Sequence, residues 1–132
     1  MIVPTISAVC AAILGLLAAL LAVQVIRNRV RFNINAGDGG NAVLAQSIRA
    51  HSNLAEHVPL ALLLLSFAEA GGAWRGFIIG LGAALVVARF ASAWGLSHSL
   101  GPTSARQAGA GLTVLVIVIS SLLILYRGVM AL

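Results

Sequence analysis

Residues 48–59 read Ile-Arg-Ala-His-Ser-Asn-Leu-Ala-Glu-His-Val-Pro, in a chain that is 61% hydrophobic and only 8% charged. Most of the polar chemistry available to the chain is gathered here. On a helix turning about 100° per residue, Arg49, Asn53 and Glu56 fall within an arc of roughly 60°. A cation, an amide and a carboxylate then share one stripe at the edge of a strongly apolar run. His51 and His57, six residues apart, do not share a face as a metal-binding pair four apart would, so no zinc site is expected. Cys10 is the single cysteine. It allows neither an intrachain disulfide nor a cysteine metal site, and it reads as a small apolar core residue.

The elements that position this stripe are membrane elements. A length of 132 residues fits one domain, 1–132, and a mean hydropathy of +1.07 belongs to integral membrane proteins. Eight arginines against three acidic residues leave a net charge of +5. The arginines sit near the ends of apolar runs, where topology and lipid headgroups account for them. No basic helix or aromatic-basic platform is present, and nucleic acid is not an expected partner.

Apolar runs predict an all-α bundle of four transmembrane helices spanning about 3–26, 50–70, 76–95 and 107–126. Pro4 suits a first helical turn, and the first run lacks the basic start of a signal peptide. The segment Asn-Ala-Gly-Asp-Gly-Gly-Asn at 35–41 breaks the pattern, with Asn41 as the N-cap of the next helix. Pro59 falls inside the second span and should leave the Ala55 carbonyl without its usual partner. Gly76, Gly80, Ala84, Ala88 and Ser92 form a stripe of small residues suited to close helix contact. The inner loops and adjoining helix start hold Arg27, Arg29, Arg31, Arg49 and Arg106, against Arg75 and Arg127 outside. Both termini are therefore expected in the periplasm, with the polar stripe toward the cytoplasm.

Counting 1.5 Å per residue, Glu56 and Arg89 reach similar depths, roughly 10 Å inside the cytoplasmic boundary. An unpaired charge there costs several kcal/mol, which makes the two natural partners. Ser92 lies one turn from Arg89, Arg27 and Arg49 at the mouth, and Arg106 enters from the fourth span. Two readings stand. The pair could fix helix packing while the other arginines set topology; or the arginines and the acid could form a pocket for a small, multiply anionic ligand.

The string Arg49-Ala-His-Ser-Asn53-x-x-Glu56-x-x-Pro59 resembles the second-helix signature of the MAPEG family, the membrane-associated proteins in eicosanoid and glutathione metabolism. The preceding Gly-Asp-Gly-Gly-Asn, Arg89 with Gly95-Leu-Ser, and Gly101-Pro102 with Arg106-x-x-Gly109 resemble its small bacterial branch. The resemblance implies a homotrimer in the bacterial inner membrane that holds glutathione, as co-substrate, between neighbouring subunits. It implies ligand contacts for Arg27, Arg49, His51, Asn53, Glu56, Arg89 and Ser92. Arg106 matches the fourth-helix arginine credited with holding the thiol as thiolate. Where the eukaryotic enzymes carry tyrosine or histidine, this chain has Ser92 and Leu96, which leaves thiolate activation to Arg106 alone.

The expected function is thus a membrane-bound glutathione transferase or peroxidase acting on small lipophilic electrophiles, in detoxification. The family also contains a non-catalytic lipid-binding scaffold, which gives a second reading on the same fold. A third class, a proton-coupled exporter built on Glu56, fits poorly with so many arginines nearby.

Overall fold

The computed structural model describes residues 3–99, 101 and 103–131; Pro102 of the loop motif lies outside them. The described residues form four helices and no strand: α1 (Thr5–Phe32), α2 (Ala42–Ala70), α3 (Arg75–His98) and α4 (Ser104–Met130). Three of them, α1, α3 and α4, are long and apolar enough to cross a membrane. The fourth, α2, carries Arg49, Glu56 and Glu69 along its length.

Each helix buries a stripe spaced three and four residues apart. On α1 the stripe is Ser7, Cys10, Leu14, Leu17 and Leu21; on α4 it is Gly109, Thr113, Val116 and Ser120. That spacing keeps one narrow seam on one side of a helix, as near-parallel packing requires. On α2, Leu54, Val58, Ala61 and Leu65 continue the seam, and on α3 Ile78, Leu81, Leu85 and Ala88 meet it. α2 and α3 occupy the middle; α1 packs on both, as does α4 from the other side, and α1 does not touch α4.

Local signals set the helix ends. The Asn41 side chain accepts a hydrogen bond from the Leu44 amide at 3.0 Å and caps α2. α1 stops where Asn33 takes a left-handed conformation at φ 53°, with the Ile34 amide reaching back to the Arg29 carbonyl at 3.0 Å. Arg29 Nη1 then donates to the Ile34 and Gly37 carbonyls at 3.3 and 2.9 Å, which holds the glycine-rich loop against the end of α1. α2 starts at Ala42 and runs unbroken through an exposed Pro59, so the amphipathic stretch and the apolar one are a single helix.

Only part of the small-residue stripe expected on α3 makes close contact: Ala88 and Ser92 are buried against Gly109 of α4. Gly76 and Gly80 face outward, and nothing lies within 4 Å of where a Gly80 Cβ would stand. Close approach depends instead on Gly82, where a Cβ would collide with Cys10 Sγ, and on Gly109, where it would strike Ser92 and the Ala88 carbonyl. The period of four identified small residues, but only a side chain on the facing helix decides which must be small.

A further tie joins the ends of α1 and α2. The Glu69 carboxylate, 7% exposed, accepts from the Ile6 and Ser7 amides at 2.8 Å each and from Ser7 Oγ at 2.7 Å. Pro4, at the cap position, offers no side-chain acceptor, so Glu69 caps α1 from another helix. Glu69→Ala is expected to cost about 2 kcal/mol of stability, because it strips amides at the positive end of a helix of their acceptor. Thermal unfolding in detergent measures this, and an unchanged midpoint would contradict the capping role.

Candidate functional site

Glu69 meets the start of α1, and Arg127 at the end of α4 donates to the Gly71 and Gly72 carbonyls at 2.6 and 3.1 Å. α2 and α4 therefore run in the same direction, opposite to α1. This ordering brings three side chains into one layer, two of them buried and Asn53 half-buried. Arg89 of α3, 1% exposed, donates through Nη2 to Asn53 Oδ1 of α2 and through Nη1 to Thr113 Oγ1 of α4, the latter at 3.3 Å. The Thr113 hydroxyl in turn donates a hydrogen bond to the Gly109 carbonyl at 2.8 Å.

Arg89 and Glu56 do not pair. Among the described residues Arg89 has no carboxylate within 4 Å, and Glu56 turns instead to Arg49 Nη1 at 3.5 Å. The expectation of a Glu56–Arg89 pair is corrected. The reason is rotation about the helix axis. Glu56 comes three residues after Asn53, roughly 60° around α2, which carries it off the buried seam to a half-exposed position. Asn53 is the residue of the stripe turned inward.

A guanidinium has only donors, so the amide of Asn53 must present its oxygen to Arg89. Among the described residues its Nδ2 has no hydrogen-bond partner, and it lies on the stripe with Arg49 and Glu56. The stripe is thus one ion pair spanning two turns on the surface, with an amide between them whose orientation is fixed from behind. Arg89 acts through Asn53 and, at 1% exposure, is not itself reachable from outside.

The other candidates occupy distinct places. Ser92 is buried against the Gly109 backbone at the α3–α4 crossing, and Leu96 is fully buried beside it. Arg27 lies on the exposed face of α1 in a recess shared with Gln24, Asn28 and Arg31. Arg49 lines a different recess of about 490 Å³ with Arg29, Asp38 and Ser52. Within one chain, therefore, Arg27 and Arg49 do not converge. His51 is half-buried next to the stripe, and His57 donates from Nδ1 to the Asn53 carbonyl at 2.9 Å. Arg106 is half-buried in the first turn of α4, where Thr103 Oγ1 accepts from its amide at 3.3 Å. Because α2 and α4 run in the same direction, Arg49 and Arg106 both lie beyond the Arg89 layer toward the same end of the bundle. No cluster of three metal-ligating side chains occurs among the described residues.

Thr113 was not anticipated as part of this layer. Its signal is a hydroxyl four residues after Gly109 in an uncharged run, at the depth where Arg89 needed an acceptor.

Comparison with known proteins covers most of the chain. The sequence model of the MAPEG family matches residues 7–126. The inner membrane protein YecN of Escherichia coli strain K12 is 33% identical over 95 residues, which cover 72% of this chain and 72% of that protein. The YecN of Escherichia coli O6:H1 matches to the same extent.

Proposed function

The chain belongs to the MAPEG family of membrane proteins, and on that premise we propose that it binds glutathione and joins it to lipophilic electrophiles. The observation that carries this reading is the stripe Arg49–Asn53–Glu56, with Asn53 oriented by a buried arginine. A half-exposed ion pair such as Arg49–Glu56 is worth only about 0.5 kcal/mol and opens readily to a ligand of the right charges. Arg49 takes a carboxylate of the tripeptide, Glu56 its ammonium group, and Asn53 Nδ2 a carbonyl. A second carboxylate requires another cation. Arg27 faces away from Arg49 within one chain, and an assembly of three copies, with the ligand between neighbours, supplies it from the adjacent subunit.

Arg106 stabilises the thiolate, which attacks the electrophile. A carbon–sulfur bond forms while the electron pair leaves with the departing group or moves onto an activated double bond. The electrophile arrives laterally from the bilayer. The setting is an inner membrane, as for the YecN relatives, with α1, α3 and α4 crossing it by their length and apolar character and α2 packed among them as the fourth span, both termini outside and the stripe toward the cytoplasm.

Calorimetric titration of the detergent-purified protein with glutathione tests the reading. Binding is expected to weaken at least tenfold in both Arg49→Ala and Glu56→Gln, the loss of a charge-assisted contact each. Binding unaffected by either change would remove the stripe from the site. The rival reading is a non-enzymatic lipid-binding protein, favoured by the burial of Ser92 and Leu96, which leaves no hydroxyl from α3 at the site. Absence of any glutathione binding would move the assignment there.

A further inference from the structure

A second feature lies at the opposite end of the bundle from Arg49 and Arg106. Between the N-terminal halves of α1 and α3 runs a groove of about 420 Å³, lined by Val9, Ile13, Ile79, Val86 and Val87 among others. Its floor is where the two helices come closest, with Cys10 against Gly82. At one end stand Thr5 and Arg75. Arg75 is exposed, and among the described residues its guanidinium has no ion pair and no hydrogen bond. The nearby Glu69 acts on Arg75 only through space and makes no contact with it, its oxygens being taken up by the Ile6 and Ser7 amides and the Ser7 hydroxyl.

We propose that this groove binds an anionic phospholipid, one acyl chain lying along the apolar wall and the phosphate held at Arg75. Length and charge both support this occupant. From Arg75 to Val87 is twelve residues of helix, roughly 18 Å, against about 15 Å for one leaflet of a 30 Å hydrocarbon core. The groove is therefore one leaflet deep, with its cation at the headgroup end. A neutral apolar ligand would use the wall and ignore Arg75; a soluble anion would use Arg75 and ignore the wall. An anionic lipid satisfies both. The site belongs to the leaflet opposite the glutathione stripe and does not depend on that assignment.

Native mass spectrometry of the full-length protein, exchanged into micelles containing equal phosphatidylglycerol and phosphatidylcholine, tests it. The native chain is expected to retain phosphatidylglycerol in preference to phosphatidylcholine by about fivefold, the effect of one arginine at a membrane surface. Arg75→Gln should abolish the preference while leaving some lipid bound. Ala83→Trp, at an exposed position in the groove wall, should displace both lipids by filling the space. Arg127→Gln serves as the control for headgroup attraction in general and should leave the preference in place. Equal retention of the two lipids by the native chain would overturn the proposal. So would a preference that survives both Arg75→Gln and Ala83→Trp, since the lipid would then sit elsewhere or a second copy of the chain would cover the groove.

Discussion

Arg106→Ala is expected to lower thiol-dependent turnover about 10²- to 10³-fold while the protein still assembles, the scale seen when a preorganised stabiliser of a developing anion is removed. The close contact of α4 with α3 survives the change. A Cβ placed on Gly95 would meet the Arg106 amide and Cβ at 3.1 and 3.2 Å, so the contact with α3 uses atoms that alanine retains. The loss should fall on the chemical step. Without the guanidinium the bound thiol reverts toward the free value near 8.5, and the pH at half-maximal rate rises with it. Arg106→Lys keeps the charge and should recover part of the rate at neutral pH. Turnover that is unchanged in Arg106→Ala, or a rate loss with no movement of the pH profile, would refute its role at the thiol.

Asn53→Ala has the second large effect, because it damages the bundle and the site together. Among the described residues Arg89 would keep Thr113 as its one acceptor while its Nε already lacks one, leaving a buried cation poorly satisfied. Loss of a buried, charge-assisted hydrogen bond costs about 3 kcal/mol. The coupling distinguishes this from simple loss of packing. Once Arg89→Met has removed the cation, the same Asn53→Ala change should cost far less, so the double variant should be more stable than the sum of the singles implies. Strict additivity would show that Asn53 and Arg89 do not work as a unit. Glutathione binding, if it depends on the orientation of Asn53, should weaken in Arg89→Met although Arg89 touches no ligand.

Much of the helical layout was legible because it is written in local runs. The Asn41 cap, the glycine-rich break before it and the extent of the apolar runs depend on residues close in sequence. Depth was legible too: rise per residue places Arg89 in the same layer as residues 53–56 of α2. Rotation was not. The choice between Asn53 and Glu56 turns on roughly 60° around one helix axis, and only the packed seam of α2 fixes that angle. Glu69 was overlooked for a different reason. Its partners are 62 and 63 residues away, and two of the three contacts come from backbone amides, which leave no trace in side-chain identity. Which cations converge on the stripe was likewise hidden, since Arg27 and Arg49 point to different recesses of one chain.

The capping of α1 by Glu69 also bears on how the protein is made. α1 emerges from the ribosome and enters the bilayer tens of residues ahead of the carboxylate that completes it. During that interval the Ile6 and Ser7 amides have no acceptor from the chain and must stay in contact with water or the insertion machinery. The first turn of α1 therefore gains its acceptor from the chain only when the far end of the second helix arrives. A nascent chain stalled before residue 69 should leave α1 mobile at its leading end, and one stalled far enough beyond it for Glu69 to clear the ribosome should lock it.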